Sequence, residues 1–266
     1  MKTSFSVIGV RTPLIRAGDN LTSVIIGAAR EGPAGGLADG DILVIAESPV
    51  ATAEGRAVRL DGIVPSDRAK ELAGKYGMDP RLAEVVIRES DAIVGGVKGF
   101  LLSLKAGTLL PNAGVDLSNT PPGTALPLPE DPDGSAARIR KEIRERAGVN
   151  VGVIVADSRT HAMRLGCSSV AIGCAGIRAV IDERGRTDLY GHVLEVTQRA
   201  VADNIASAAV LVMGEADESV PCAIVRGLGL PIVDEVGVPS ISADECLFMG
   251  VALHADPSVL RGKDEP

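Results

Sequence analysis

Three carboxylates in this chain follow apolar or glycine-bearing runs that would hold them in place. They are Asp116 in Asn112-Ala113-Gly114-Val115-Asp116, Asp157 after Val151 to Ala156, and Glu215 after Val210 to Gly214. A hydroxyl, Ser158, stands beside Asp157. Hard divalent cations such as Mg²⁺ and Mn²⁺ prefer such oxygens, and they bind through one or two carboxylates together with substrate phosphates. The pattern points to a site that holds divalent metal against the phosphates of a nucleotide. A single Asp of this kind is more often a cap or a turn former. Three acids at the ends of apolar runs reduce the weight of that alternative.

Other residues could join such a site. Arg56 and Arg68 are able to neutralise phosphate or carboxylate by bidentate contact, with solvated surface arginines as the equal alternative. His161 lies close to Asp157 in sequence and is able to act as ligand or acid-base group, although a lone loop histidine is more often neither. Tyr190-Gly191-His192 after Asp188 reads as a turn. The chain has no GxxxxGK[ST] loop, no GxGxxG after a strand and no GxSxG elbow, so a nucleotide site here is non-standard.

The elements that must position these residues alternate between strand and helix patterns, which predicts an α+β fold with mixed sheets. Strands are expected over Ser4 to Val10, Asp41 to Ala46 and Val149 to Ala156, the last apolar enough to be covered on both faces. Helices are expected over Leu21 to Arg30 capped by Asn20, from Ser66 to Gly77, and from Pro80 to Glu89. A further helix begins at a cap, Asp133 or Ser135, carries Ile139 and Ile143, and ends at Ala147-Gly148. Thr197 to Ala208 reads as a helix feeding an apolar strand that ends at Gly214-Glu215. Strand patterns with glycine bends fill Ala92 to Leu110. Residues 1–255 read as a single unit or two interlocked subdomains, and 256–266 as a polar tail.

Composition narrows the function classes. The chain has 266 residues and a formal net charge of -8, with no Trp, two Tyr and three Phe. Its core must be aliphatic, and aromatic stacking on bases is not on offer. No basic stripe exists, so nucleic acid is not an expected partner. The N-terminal residues lack a signal-peptide pattern and no long apolar run occurs, which predicts a cytoplasmic protein without a membrane span. Cys167, Cys174, Cys222 and Cys246 form no CxxC pair and read as reduced core thiols.

Taken in order, a series of short segments resembles the coenzyme F-420:L-glutamate ligase family, the gamma-glutamyl ligases of the deazaflavin coenzyme. The likeness runs from PLIRAGD (13–19) through AEGR, SDRAKELA, NAGVDLSN, DPDGSA, VGVIVADS, DLYGHVLEVT and VADNIASAA to MGEADESVP and Ile224 to Leu228. The resemblance implies a gamma-glutamyl-ligase-like fold that pairs into an intertwined homodimer. It further implies a GTP-dependent ligase using Mg²⁺ or Mn²⁺, one ion or two, in which an acceptor carboxylate is phosphorylated and then attacked by the amine of L-glutamate. By the same likeness Asp116, Asp157, Ser158 and Glu215 would hold the metal. Pro13, Leu14, Ile15, Ser48, Thr52, Asn119 and Gly214 would border the nucleotide, and Arg56 with Asp157 would serve catalysis.

Two departures from the family pattern stand out. Where the family shows Lys-x-Glu-Gly-Arg, this chain has Thr52-Ala53-Glu54-Gly55-Arg56, and the Gly-Arg usual after the Asp-hydroxyl pair is Thr160-His161. A charge-assisted phosphate contact is therefore missing. Either Arg56 or Arg11 takes its place, or the nucleotide and reaction have changed, as in a paralogue that ligates a different amine or carboxylate. Loss of catalysis, leaving a nucleotide-binding regulator, is the reading from another class.

Overall fold

The protein's structure, a computed structural model, describes residues 4–252. The expected tail, 256–266, lies outside the described residues. In chain order come β1 (Ser6–Val10), α1 (Leu21–Glu31), β2 (Ile42–Ala46) and α2 (Glu47–Ala53). An insert follows, with β3 (Val58–Arg59), α3 (Asp67–Tyr76), α4 (Pro80–Glu89), β4 (Ala92–Val97), β5 (Phe100–Lys105), β6 (Thr108–Pro111) and β7 (Thr124–Ala125). The chain then forms α5 (Pro132–Ala147), β8 (Gly152–Thr160), β9 (Cys167–Ala175), β10 (Val180–Asp182) and β11 (Gln198–Ala200). It ends with α6 (Val201–Met213), β12 (Cys222–Arg226) and α7 (Leu247–Ala252).

The α+β reading with mixed sheets holds. A five-stranded sheet in the order β1-β12-β2-β8-β9 is antiparallel except for the β2–β8 pair, which is parallel. Strand alternation sorts its side chains onto two covered faces. Leu43, Ile45, Val153, Val155 and Ile224 pack against Ile25 of α1 and Ile139 and Ile143 of α5. Ile42, Val44, Ile154 and Val225 face the other way, against Val201, Ile205, Ala209 and Met213 of α6. A third core lies in the insert, where Ala69, Ala73, Leu82, Val85 and Val86 of α3 and α4 meet Leu101, Ala113 and Val115.

Several expected boundaries move. The segment Ala208 to Gly214 is the end of α6 and not a strand: Val201, Ile205, Ala209 and Met213 recur at helical spacing and are all buried. Strand β8 starts at Gly152 and continues beyond Ala156, because Asp157 to Thr160 pair with Val170 to Cys167 in an extension of the β8–β9 ribbon. The cap of α5 is Asp131, whose Oδ1 accepts from Gly134 N at 2.9 Å. Asp133 instead accepts from Cys174 N at 2.8 Å, and Ser135 donates to Glu54, so both expected caps tie α5 to its neighbours. Of the cysteines, Cys174 and Cys222 are buried as expected, whereas Cys167 is exposed. Among the described residues no helix is long and apolar enough to cross a membrane.

Candidate functional site

The parallel pair β2–β8 places the carboxyl ends of two apolar strands side by side, where ligands bind in sheets of this kind. Its register pairs Ala46 with Ala156, so the next residues, Glu47 and Asp157, emerge as neighbours. The insert closes over this end of the sheet. Between them opens a cleft of about 480 Å³. It is lined by Thr12 to Ile15 after β1, Glu47, Ser48 and Thr52 of α2, Ala156 to Arg159 of β8, Val210 and Met213 to Pro221, and, from the insert, Phe100 and residues of 110–119.

Tight turns deliver the remaining acids to the cleft. Asn112, Ala113 and Gly114 adopt φ of 49°, 53° and 71°, a run of left-handed backbone of the kind that clusters at functional sites. Asn112 stabilises its strained turn by accepting from Leu101 N at 2.9 Å. A Cβ on Gly114 would come within 2.5 Å of the Leu128 side chain, and at a φ of 71° any other residue there would be strained. Asp116, two residues on, bridges with Leu126 and turns its carboxylate back onto Leu117 N and Ser118 N at 2.6 and 2.9 Å. Gly214 ends α6 with φ of 75° and abuts the Glu218 carboxylate, which itself accepts from Ala216 N at 2.8 Å. That turn presents Glu215, which accepts a hydrogen bond from Ser158 Oγ at 2.7 Å. Asn119 reaches across to the same loop, its Nδ2 donating to Ala216 O at 3.2 Å.

Charge is the most uneven property of the cleft. Glu47, Asp116, Asp157, Glu215, Asp217 and Glu218 line it, and among the described residues Arg159 is the only basic side chain that does. Arg159 Nε donates to Asp157 Oδ2 at 2.9 Å, the two side chains being 13% and 14% exposed. Burial pushes the Asp157 carboxyl up despite Arg159, and Asp116 adds to the rise. Glu47 keeps little surface toward the cleft; loss of hydration, then the charge of Asp157, raise its carboxyl to about 8. Among the described residues no three His, Cys, Asp or Glu side chains close into a metal cage by themselves. The acids ring the cleft at a wider spacing.

The structure brings together Asp116, Asp157, Ser158, Glu215, Pro13, Leu14, Ile15, Ser48, Thr52, Asn119 and Gly214. Arg56 stands apart. Its guanidinium pairs with Glu89 at 2.8 Å and donates to Leu128 O at 3.1 Å, which anchors the insert and leaves Arg56 outside the cleft lining. Arg11, Arg68, His161 and the Tyr190-Gly191-His192 turn do not line the cleft either. Glu47 and Arg159 were missed by sequence reasoning. The signal for Glu47 was its position directly after an apolar strand; that for Arg159 was its i, i+2 spacing from Asp157, which sets both on one strand face. Phe100, 53% exposed, is the one aromatic side chain among the described residues that lines the cleft.

The comparisons with known proteins bear on the same residues. The model of the family described as F420-0:Gamma-glutamyl ligase matches residues 9–227, a span that contains every cleft-lining residue named above. The chain belongs to the F420-0:gamma-glutamyl ligase family. A relative from Methanothermobacter thermautotrophicus named coenzyme F420:L-glutamate ligase is 46% identical over 84% of this chain and 88% of its own. Those of the same name from Methanopyrus kandleri and Methanocaldococcus jannaschii are 46% and 42% identical, over 80% and 86% of this chain and 83% and 90% of theirs. For a gamma-glutamyl ligase family member, the acid-lined cleft at the β2–β8 strand ends is the candidate active site.

Proposed function

We propose that this chain is a GTP- and divalent-metal-dependent amide ligase that adds L-glutamate to a precursor of the deazaflavin coenzyme F420. Family membership and the names of its relatives support ligation. The observation that carries the rest is the surplus of carboxylates over cations in one cleft. A polyphosphate would be repelled by such a cleft unless cations came with it. The donor set fits a hard divalent ion, since every candidate ligand is an oxygen and the raised carboxyls of Glu47 and Asp157 reflect burial and mutual repulsion that the chain's own cations do not offset. Open spacing suits Mg²⁺ or Mn²⁺, which keep waters and substrate phosphates as ligands.

Asp116, Asp157, Ser158 and Glu215 would hold the metal. When bound, it supplies positive charge that shields the transferring phosphoryl group. Loop 12–15, Ser48, Thr52, Asn119 and Gly214 border the nucleotide, and the insert above the cleft limits the access of water. In the first step an oxygen of the acceptor carboxylate bonds to the γ-phosphorus while the bond to the β-phosphate oxygen breaks, leaving GDP and an acyl phosphate. The amine of L-glutamate then attacks the acyl carbon. A C–N bond forms, the C–O bond to phosphate breaks, inorganic phosphate departs and the amine releases a proton. The exposed side chains Met163, Leu165, Leu189, Tyr190 and Val196, at 85% exposure or more, support pairing into a homodimer.

The test combines a thermal-shift panel with phosphate release. A nucleotide that binds the folded state must raise its melting point. GTP with Mg²⁺ or Mn²⁺ is expected to give the largest shift, and phosphate is expected only when L-glutamate and the F420 precursor are both present. Phosphate release that ignores L-glutamate would refute the ligase reading. Release with another amine or carboxylate in their place, for which Thr52 in the cleft is the structural ground, would move the substrate and keep the chemistry.

A further inference from the structure

Arg159 is the cleft's sole lining cation among the described residues, and it is already engaged. It pairs with Asp157, the residue that β8 places beside Glu47 at the strand end. Both partners are largely withdrawn from solvent, and such a pair is costly to break unless each charge finds a substitute. A divalent ion taking Asp157 is one substitute. The guanidinium then needs another anion, since Asp157 is its one ion-pair partner among the described residues. Substrate oxygens remain, and the planar fork of arginine matches phosphate or carboxylate two bonds at a time.

We propose that Arg159 is an exchangeable counter-ion: it holds Asp157 in the metal-free cleft, yields it to the divalent cation, and then grips an anionic oxygen of the bound substrate. This rests on the reading that Asp157 takes a metal ion. Arg159 thus couples the two ligands, since metal releases the residue that the substrate requires. It is a positioning group for the substrate and a competitor for the metal.

Mn²⁺ titration of the nucleotide-free protein, followed by electron paramagnetic resonance of the free ion, separates these roles. Arg159→Gln is expected to bind Mn²⁺ several-fold more tightly than wild type. At saturating Mn²⁺ the same variant is expected to lose about tenfold or more in affinity for one anionic substrate, the size of a lost charge-assisted hydrogen bond. Calorimetry with a non-hydrolysable GTP analogue and, separately, with L-glutamate tells phosphate from carboxylate as the anion gripped. Arg159→Lys, which keeps charge without the fork, is expected to restore part of that affinity and checks that the cleft is intact. Equal Mn²⁺ affinity in wild type and Arg159→Gln, or unchanged affinity for both substrates, overturns the proposal while leaving the ligase reading standing. A wild type that takes up no Mn²⁺, with or without nucleotide, refutes both.

Discussion

Glu47 shows how a single carboxylate acquires its chemistry from its neighbours. In the sequence it is one acid after a strand; in the fold it lies beside Asp157, half-buried in the cleft wall, with its carboxyl raised to about 8 by loss of hydration and then by the charge of Asp157. A raised carboxyl contributes stability that is fully present below the ordinary value of 4.5 and is lost as pH rises through about 8. Glu47→Gln, which is neutral at every pH, should therefore melt like wild type near pH 4.5 and above it at pH 8.5. The expected gain is a few degrees, at about 2–4 °C per kcal/mol for a domain of this size. Calorimetry of the metal-free proteins at the two pH values checks it, and a variant that melts lower at pH 8.5 would show that the charged carboxylate is already well satisfied.

At the scale of elements, the cleft depends on the insert keeping its own internal packing. Glu84 of α4 accepts from Ser66 N and from Arg88 Nε, both at 2.9 Å, while Ser66 caps α3 through Ala69 N at 3.2 Å. Its carboxyl is held down at about 2 by Ser66 first and Arg88 after it. Glu84→Gln should destabilise the protein by about 1–3 kcal/mol at neutral pH, the usual cost of weakening a buried charged hydrogen bond. Because the carboxyl is depressed, the difference is full above pH 4.5 and fades as pH falls toward about 2. Denaturant melts at pH 7 and pH 3 would test this; a gap that widened on acidification would rule out the assignment. Helix and strand existence was readable here from caps and periodicity: Asn20, Ser66 and the Pro80 start all fall where expected. The end of α6 was not, since an apolar run such as Ala208 to Met213 carries the same local signal in a buried helix as in a buried strand.

For the molecule as a whole, the exposed apolar residues of the β8–β9 turn and of the segment after β10 are the features a lone copy leaves uncovered. If two copies pair through them, Leu189→Asp combined with Tyr190→Asp should convert the dimer to monomer in light scattering and leave the far-ultraviolet circular dichroism unchanged. A dimer that survives both changes would place its interface elsewhere.

What the sequence determined by itself was the chemical vocabulary: oxygen-bearing side chains at Asp116, Asp157, Ser158 and Glu215, an aliphatic core, and motifs in family order. Local rules reach that far because capping, periodicity and residue type act over a few positions. Only the tertiary structure decided that Arg56 anchors the insert, that Glu47 joins the acids and that Arg159 is the cation facing them. Those outcomes depend on the β2–β8 register, which pairs Ile42 with Gly152, and on the insert meeting the far loop, where Asn119 bonds to Ala216, 97 residues on.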